Sequence, residues 1–389
     1  MNFSILTDYL NTLVYDKNTP CVDCIVYKNH KMIYRHFAGK SDLEADKDVS
    51  GDELYFIFSM TKLVTCTAAL QLYEKGKYNL DDPISKYMPE FKKMKITADA
   101  PHADDTAKIT TGHSIGSADI HIGSGYAKNA ITVRHLFTMS AGFDYNIEAP
   151  FIKTALAEGK TDTRNLMGAM SNAVLGFEPG TCFNYSLCHD ILGALIEIWS
   201  GESLGEYIRK NIFEPLCLKN TFFGVPSPEQ KVKMAARYIF NDKGNPQRLP
   251  LENPYNLSPD YQSGGAGLCS TTEDYALLLD ALACGGLCKT GNRILREDTV
   301  KLMHTDQLNG KEGPFEGYGY GLGVRVHRDP QKSGSLSPIG EFGWDGAAGC
   351  FGMVDADLQI SLTHFQHIHA WDLNQRNGLR NALYLSLEE

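Results

Sequence analysis

The sequence predicts an α/β (α+β) fold in which both ends of the chain contribute to one sheet domain and the middle forms an inserted, mostly helical domain. Three observations support this prediction: β-type apolar runs near the amino terminus, helical periodicity through the middle, and a strand-rich carboxyl-terminal part. We expect the sheet domain to comprise residues 1–82 and 264–389, and the helical domain to comprise residues 83–263.

The amino-terminal elements are predicted from the spacing of apolar residues. Within residues 3–14 they recur at helical spacing, which predicts an amphipathic opening helix. A hairpin pattern follows at 24–34, where two apolar runs flank a short polar turn. Residues 59–75 then have the pattern of a long apolar helix, which Gly76 ends.

The middle of the chain differs from both ends in its composition and in the periodicity of its apolar residues. Residues 97–129 are small, polar and rich in glycine, which predicts an irregular insertion. Helical periodicity returns at 133–139 and 188–199. The strand-like runs of the carboxyl-terminal part lie at 318–326, 348–354 and 359–365, before a closing helix around 373–386.

The composition is that of a globular protein of 389 residues, with 43% hydrophobic residues and a formal net charge of −10. These values exclude collagen-like and disordered classes. Scattered Lys and Arg in an acidic chain argue against a nucleic-acid partner. No apolar run approaches the roughly 20 residues of a membrane helix, so we expect no membrane partner.

The amino terminus and the cysteines favour a cytoplasmic location. Residues 1–18 have no cation before Lys17 and carry Asp8 inside the apolar pattern, unlike a secretory signal. The ten cysteines are therefore expected to be reduced, mostly buried thiols. The CxxC at 21–24 begins a strand-like run and the cysteines at 284–288 have the wrong spacing for zinc, so we predict no metal site.

Ser59 and Lys62 are the first candidate catalytic pair. They lie three residues apart at the start of a predicted helix, which puts the lysine one turn above the serine hydroxyl. A serine hydroxyl becomes a nucleophile when a neighbouring base removes its proton, and burial lowers the pKa of a lysine toward that role. The β-type run at 54–58 before the pair is the context that this motif requires. The local alternative is an N-capping serine with a solvated lysine.

Two later segments also carry residues capable of chemistry. Tyr185 lies just ahead of a predicted buried helix, where it is either a structural aromatic residue or a phenolate-type base. Residues 342–349 are rich in Gly and Ala and precede an apolar strand at 350–354. Small residues at that density let a substrate backbone approach the edge of a strand closely.

Taken together, these segments resemble the serine β-lactamases and penicillin-recognising hydrolases. The similar branch is the class C-like one, which includes β-lactamases, DD-peptidases, D-aminopeptidases and carboxylesterases. The resemblance implies an antiparallel sheet flanked by helices, an inserted helical domain, and a site between the two. It extends over nearly the whole chain and is carried by residues 56–62, 76–91, 131–136, 178–192, 264–274 and 343–349.

The resemblance also implies roles for individual residues. By position, Ser59 is the nucleophile, Lys62 its helix partner, and Tyr185 the tyrosine of the family's Y-x-N element. Trp344–Gly346 occupies the place of the family's K-T-G element. The backbone N–H groups of Ser59 and Ala347 are implied to form an oxyanion hole. The implied chemistry is acylation of Ser59 followed by attack of water or another acceptor, without a cofactor.

Departures from the family pattern set the predicted substrate. Leu187 replaces the Asn of Y-x-N and removes an amide that hydrogen-bonds substrate amides. Trp344 replaces the cation that in the family attracts the carboxylate of β-lactams and peptidyl-D-alanine, and an ionised Asp345 would repel such a group. Leu187, Trp344, Asp345 and Gly346 are the predicted substrate-binding residues. Since a Trp in this element resembles the esterase members, we predict a carboxylesterase acting on small neutral esters.

Several other functions are compatible with the same motifs. A β-lactamase, a DD-peptidase or a D-amino-acid amidase would use the same nucleophile on amide substrates, and acyl transfer to an alcohol or amine would use the same acyl-enzyme. A catalytically weak binding or sensor protein would keep the fold and lose the chemistry. The predicted partner is in every case a small-molecule ester or amide, and no oligomeric state follows from the sequence.

Overall fold

The computed structural model of the chain describes residues 2–97, 125–369 and 372–388. The strands are β1 (Cys21–Lys28), β2 (Lys31–Asp42), β3 (Lys47–Asp48), β4 (Tyr55–Phe56), β5 (Lys95–Ile96), β6 (Gly125–Tyr126), β7 (Val174–Leu175), β8 (Phe222–Phe223), β9 (Arg237–Phe240), β10 (Pro246–Leu249), β11 (Leu268–Ser270), β12 (Tyr318–Tyr320), β13 (Arg325–His327), β14 (Phe342–Asp345), β15 (Phe351–Asp355), β16 (Ile360–Phe365) and β17 (Ile368–His369).

The α-helices of the described residues are α1 (Ser4–Tyr15), α2 (Thr61–Glu74), α3 (Val133–Phe137), α4 (Pro150–Ala157), α5 (Thr163–Ala169), α6 (Cys188–Ser200), α7 (Leu204–Ile208), α8 (Glu214–Leu216), α9 (Pro228–Lys233), α10 (Thr272–Ala283), α11 (Glu297–Met303), α12 (Pro330–Ser333) and α13 (Leu373–Glu388). Short 3₁₀ turns lie at Phe58–Met60, Ile84–Lys86, Pro89–Lys92 and Met170–Asn172, and a π-helical turn at Arg209–Phe213. None of the helices in the described ranges is long and apolar enough to cross a membrane.

One sheet contains strands from both ends of the chain. Its order is β12-β13-β14-β15-β16-β1-β2-β3, and its pairings are antiparallel. The amino-terminal strand β1 pairs with the late strand β16, with Cys24 opposite His364. The predicted fold class, an antiparallel sheet flanked by helices, is confirmed. The division into domains at residues 82 and 263 stays a prediction.

Helices cover the two faces of this sheet. Successive side chains of a strand point to opposite faces, and β1 shows this directly. Cys24 and Val26 pack with Leu10 of α1 in one apolar cluster, whereas Ile25 packs with Ala276 of α10 in another. The apolar run of β1 therefore reflects burial on both faces, which an alternating pattern would not.

The helix that follows Ser59 is buried on every side. All residues of α2 from Thr61 to Leu72 are buried, and the helix packs against α6 and the end of β14. A helix that is apolar all round belongs in the middle of a protein and not at its surface. Lys62 carries the one charged side chain among these buried residues, which makes its environment the first question about the site.

The predicted insertion at 97–129 lies mostly outside the described residues. The residues that border it are paired, because Lys95 of β5 faces Tyr126 of β6 in an antiparallel register. Strand β5 also pairs in parallel with β7, which connects this part of the chain to the segment before Tyr185.

Candidate active site

Ser59 lies at the junction between a strand and a buried helix. Strand β4 ends at Phe56, and a 3₁₀ turn over Phe58–Met60 leads into α2. Phe58 has a φ of 44°, in the left-handed region, which costs on the order of 1–3 kcal/mol for a residue other than glycine. Its side chain is fully buried and contacts Phe56 and Tyr255, so packing holds the backbone in this conformation. The turn leaves Ser59 only partly buried.

Lys62 contacts Ser59 from the next turn of the helix. Its Nζ lies 3.2 Å from Ser59 Oγ, 3.0 Å from the hydroxyl of Tyr145 and 2.7 Å from the carbonyl oxygen of Gly265. The side chain is completely buried. Burial lowers the pKa of Lys62 to about 7, although the charge of Asp190 opposes this shift. At neutral pH a large fraction of this amine is therefore unprotonated.

Tyr185 approaches the same serine from the helical layer. Its hydroxyl donates a hydrogen bond of 2.6 Å to Ser59 Oγ. Burial raises the pKa of Tyr185 above its usual value, and hydrogen bonds with Ser59 and Trp344 only partly offset the effect. Burial thus favours the protonated phenol, the form that can donate a proton, and the catalytic role of Tyr185 stays a prediction.

Tyr145 is a member of the site that sequence reasoning missed. Its ring stacks on that of Tyr185 at 5.2 Å and 15°, and its hydroxyl accepts a hydrogen bond from Lys62. The Nζ of Lys62 lies 4.9 Å and 4.7 Å from the centroids of these two rings. Tyr145 comes from a loop between α3 and α4, and no periodicity in the sequence marks it.

Asp190 is the second residue that sequence reasoning missed. It lies in the first turn of α6 and is completely buried. One carboxylate oxygen, Oδ1, accepts hydrogen bonds from Tyr261, Ser263 and the backbone N–H of Gly265. These bonds fix the turn whose Gly265 carbonyl contacts Lys62. A Cβ at residue 265 would lie 2.4 Å from Asp190 Oδ2, which explains why glycine is needed there. From sequence alone, an acidic residue in a first helical turn indicates only a favourable dipole interaction.

Trp344 forms the aromatic wall on the other side of the site. Its Nε1 donates to the Tyr185 hydroxyl at 3.4 Å, and its ring lies 5.6 Å from the ring of Tyr185. Phe315 and Tyr320 pack around the same indole at 6.2 Å and 5.1 Å. Trp344 therefore puts a neutral, largely apolar side chain where the family pattern has a cation, and this side chain contacts Tyr185.

The chain after Trp344 lies beside the turn that carries Ser59. A Cβ at Gly346 would lie 2.4 Å from the carbonyl oxygen of Ile57, so glycine allows the two backbones to approach. Ala347 follows and is exposed. Its backbone N–H donates to no acceptor within the part of the chain that the structure describes. This arrangement leaves the Ala347 N–H, together with that of Ser59, available for the predicted oxyanion hole.

Two of the predicted substrate-binding residues do not fit that role. Asp345 points away from Trp344, as alternation along a strand requires, and its Oδ1 lies 2.7 Å from Arg325 Nη1. Its charge is compensated there and does not repel a substrate. Leu187 is 1% exposed and belongs to the main apolar core. It occupies the N-cap position of α6, and its side chain is buried in that core.

The structure thus brings Ser59, Lys62, Tyr185, Trp344 and Gly346 together at one place, although they come from distant parts of the chain. The arrangement can remove a proton from the serine, deliver one through a tyrosine, and bind a neutral group against Trp344. These are the requirements of nucleophilic catalysis through a covalent serine intermediate.

Comparisons with known proteins find similarity to a family of serine-dependent enzymes, an esterase and an acyltransferase. The model of the family described as Beta-lactamase matches residues 6–382. Esterase EstB of Burkholderia gladioli is 26% identical over 87% of this chain and 83% of its own. Acyltransferase calJ of Penicillium decumbens is 28% identical over 85% of this chain and 79% of its own. The solved structure of EstCE1, described as a hydrolase with promiscuous acyltransferase activity, superposes with a TM-score of 0.77 at 22% identity, covering 98% of this chain and 97% of that one.

Proposed function

The chain belongs to the beta-lactamase family, and on that premise we propose that this serine hydrolase is a carboxylesterase that forms an acyl-enzyme on Ser59. The single observation that carries the proposal is the position of Ser59 Oγ, which contacts both the hydroxyl of Tyr185 at 2.6 Å and the amine of Lys62 at 3.2 Å. An N-capping serine would need neither a buried amine nor a buried phenol beside its hydroxyl.

Acylation begins with proton transfer from Ser59 to Lys62. In its unprotonated form Lys62 has two N–H bonds, which the Gly265 carbonyl and the Tyr145 hydroxyl accept, so its lone pair is directed at Ser59 Oγ. The serine oxygen attacks the ester carbonyl carbon, and negative charge develops on the carbonyl oxygen. We place that oxygen between the backbone N–H groups of Ser59 and Ala347.

Tyr185 completes the proton path. When the tetrahedral intermediate collapses, the C–O bond to the leaving alcohol breaks and the alkoxide takes the phenolic proton of Tyr185. The resulting phenolate recovers a proton from the Lys62 ammonium, whose nitrogen lies 4.7 Å from the centroid of the Tyr185 ring, while the acylated Ser59 Oγ carries no proton and takes no part in this transfer. Water then attacks the acyl carbon and its proton passes to Lys62. When the bond between the acyl carbon and Ser59 Oγ breaks, the Lys62 ammonium gives this proton to Ser59 Oγ and the carboxylic acid leaves.

The neutral surroundings of the serine favour esters over anionic substrates. Trp344 stands where a carboxylate-binding cation would be required, and Arg325 compensates Asp345. A substrate carboxylate at the Trp344 side would lose its hydration without gaining a charged partner. An apolar acyl or alcohol group gains contact with the aromatic side chains there.

A comparison of two chromogenic substrates tests the proposal. We expect rapid hydrolysis of p-nitrophenyl butyrate, slow or no opening of a chromogenic cephalosporin, and a loss of at least about 10³-fold in ester hydrolysis for Ser59→Ala. Ser4→Ala, an exposed serine on α1, is the matched control and keeps full activity. Efficient turnover of the cephalosporin without ester hydrolysis would overturn the esterase assignment. Retained activity in Ser59→Ala would overturn the acyl-enzyme.

Acyl transfer is a second candidate, favoured by the relatives named as acyltransferases. The same acyl-enzyme serves both reactions, and the acceptor alone differs. Adding a small alcohol to the butyrate reaction distinguishes them: a transferase forms the new butyrate ester in proportion to the alcohol, whereas a hydrolase forms butyric acid.

The proposed compartment is the cytoplasm, which fits ten cysteines that are all unpaired.

A further inference from the structure

Three side chains able to bind a metal ion meet where the β1–β2 hairpin contacts the end of α10. His30 Nδ1, a carboxylate oxygen of Asp280 and Cys284 Sγ all lie within 4.8 Å of one another. His30 comes from the hairpin turn. Asp280 lies in the last turn of α10, and Cys284 is the C-cap residue that follows this helix. The cysteine spacings on which the sequence prediction of no metal site rests do not reveal this cluster, since His30 and Asp280 are 250 residues apart.

The histidine and the aspartate are already positioned. Asp280 accepts a hydrogen bond of 3.0 Å from the backbone N–H of His30, and its other oxygen lies 2.8 Å from Nδ1 of the imidazole. The Asp280 side chain is 1% exposed and that of His30 is 22% exposed. Cys284 is partly buried, and its sulfur lies 4.0 Å from Asp280 Oδ1. The buried carboxylate thus orders the cluster, and the imidazole leaves a path to solvent.

The turn itself does not explain the histidine. Asn29 and His30 have φ values of 48° and 65°, the two positive angles of a two-residue hairpin turn in which Asn-Gly is the favoured pair. Glycine at residue 30 would make the turn at less conformational cost. The two contacts of His30 with Asp280 of α10 offset this cost.

We propose that His30, Asp280 and Cys284 form a binding site for a divalent cation of the zinc type, with a fourth position open to water. One nitrogen, one oxygen and one sulfur donor suit Zn²⁺ and its spectroscopic substitute Co²⁺, whereas Mg²⁺ and Ca²⁺ take oxygen donors. Tetrahedral bonds of about 2.0–2.3 Å put neighbouring donors roughly 3.3–3.7 Å apart. The site forms when the distance between His30 Nδ1 and the Asp280 carboxylate increases slightly and the sulfur of Cys284 moves closer to both.

Binding of the ion requires a defined movement of protons. The thiol proton of Cys284 leaves to solvent, so the thiolate coordinates the metal. The imidazole carries its proton on Nε2, and the Nδ1 lone pair coordinates. The metal replaces the His30–Asp280 hydrogen bond and joins the hairpin to α10 through three bonds.

The site is structural and separate from the proposed catalysis. The contact of α10 with the Ser59 region is made by Tyr275, whose hydroxyl donates to the Met60 carbonyl at 2.8 Å. Asp280 and Cys284 lie further along the helix, by roughly 7 Å and 13 Å of helical rise. We therefore expect the ion to raise thermal stability without changing ester hydrolysis, because it binds the folded hairpin and not the unfolded chain.

Cobalt titration of the chelator-treated protein tests this site, since a cysteine thiolate bound to Co²⁺ absorbs in the near ultraviolet and tetrahedral Co²⁺ gives visible bands. We expect both signals at one equivalent of Co²⁺, their loss on adding Zn²⁺, and a higher melting temperature with Zn²⁺. Cys284→Ser abolishes the thiolate signal. His30→Asn, which keeps a residue tolerant of the turn, weakens binding at least about tenfold, the lower limit for loss of even an outer partner.

Matched variants keep this experiment decisive. Cys217→Ser removes an exposed cysteine outside the cluster, and His36→Asn removes a partly buried histidine on β2; both keep the Co²⁺ spectrum. Absence of a thiolate signal at saturating Co²⁺ overturns the proposal. So does a signal that survives Cys284→Ser and disappears in Cys217→Ser. Ester hydrolysis is measured in parallel, and its failure would concern Ser59 alone.

Discussion

Two buried cations lie in different parts of the molecule and have opposite surroundings. Lys62 contacts a hydroxyl of Ser59, a hydroxyl of Tyr145 and a backbone carbonyl, all of them neutral. Arg325, 1% exposed, lies on the sheet and pairs with Glu341 at 3.1 Å and with Asp345 at 2.7 Å. Arg380 binds the other oxygen of Glu341, so a charged network fills that region.

The two environments have opposite consequences for protonation. Burial lowers the pKa of Lys62 to about 7 against the weaker opposing effect of Asp190. Burial also acts to lower the pKa of Arg325, but the charges of Asp345 and Glu341 outweigh it and raise the pKa. A buried arginine with charged partners stays charged and holds structure, whereas a buried lysine without such partners in contact exchanges protons near neutral pH. The difference supports the proposal that Lys62 is the reactive group.

Lys62→Arg is expected to have the largest effect on catalysis, because it puts a permanently charged side chain, like that of Arg325, beside Ser59. A guanidinium does not give up its proton in a protein, so it cannot accept one from Ser59. We expect kcat/KM for p-nitrophenyl butyrate to fall by about 10²–10⁴-fold, the range for loss of a general base. Lys62→Met, similar in length and neutral, is the companion variant if arginine disturbs packing. More than a tenth of the wild-type activity in both folded variants would refute the role of Lys62.

Arg325→Met tests the other side of the comparison. It removes the guanidinium that pairs with the buried Asp345 and leaves Glu341 with Arg380 alone, which is expected to lower the free energy of unfolding by about 3–5 kcal/mol. Urea denaturation measures this loss. Asp345→Asn is the milder control, since it keeps an acceptor for the guanidinium. If the folded Arg325 variant loses no stability and instead loses its pH-dependent activity, the distinction between the two cations is wrong.

Tyr185→Phe sharpens the comparison within the site. It keeps the aromatic ring beside Lys62 and removes only the hydroxyl that relays the proton. We expect kcat to fall by roughly 10²-fold, the lower end for a proton-transfer group. Tyr145→Phe removes a hydroxyl that contacts Lys62 but not Ser59, so its loss is expected to be smaller than that of Tyr185→Phe. The opposite order, measured with the same ester, would assign the relay to Tyr145.

The part of the site that sequence predicts is the part set by local geometry and motif order. Ser59 and Lys62 lie one helical turn apart whatever the rest of the fold does. Tyr185 and Trp344 were found through the family resemblance, and the structure brings both to Ser59.

The rest of the site depends on packing between distant segments. Tyr145 and Gly265 lie 83 and 203 residues from Lys62, and no local pattern connects them to it. Asp345 is a different kind of error, since strand alternation places it on the face opposite Trp344 and the sequence contains that information. The family motif places Leu187 at a substrate-binding position, although an apolar residue at the start of a buried helix is typical of the core.

The pH dependence of acylation tests the central claim most directly. The claim is that unprotonated Lys62, with a pKa of about 7, accepts the proton of Ser59. Below that pH the amine is charged and cannot accept a proton, so kcat/KM for p-nitrophenyl butyrate should fall about tenfold per pH unit. Above it, the rate should level off. We expect this profile in the wild type and in Asp345→Asn. A wild-type profile that is flat between roughly pH 5 and 9 would contradict the account.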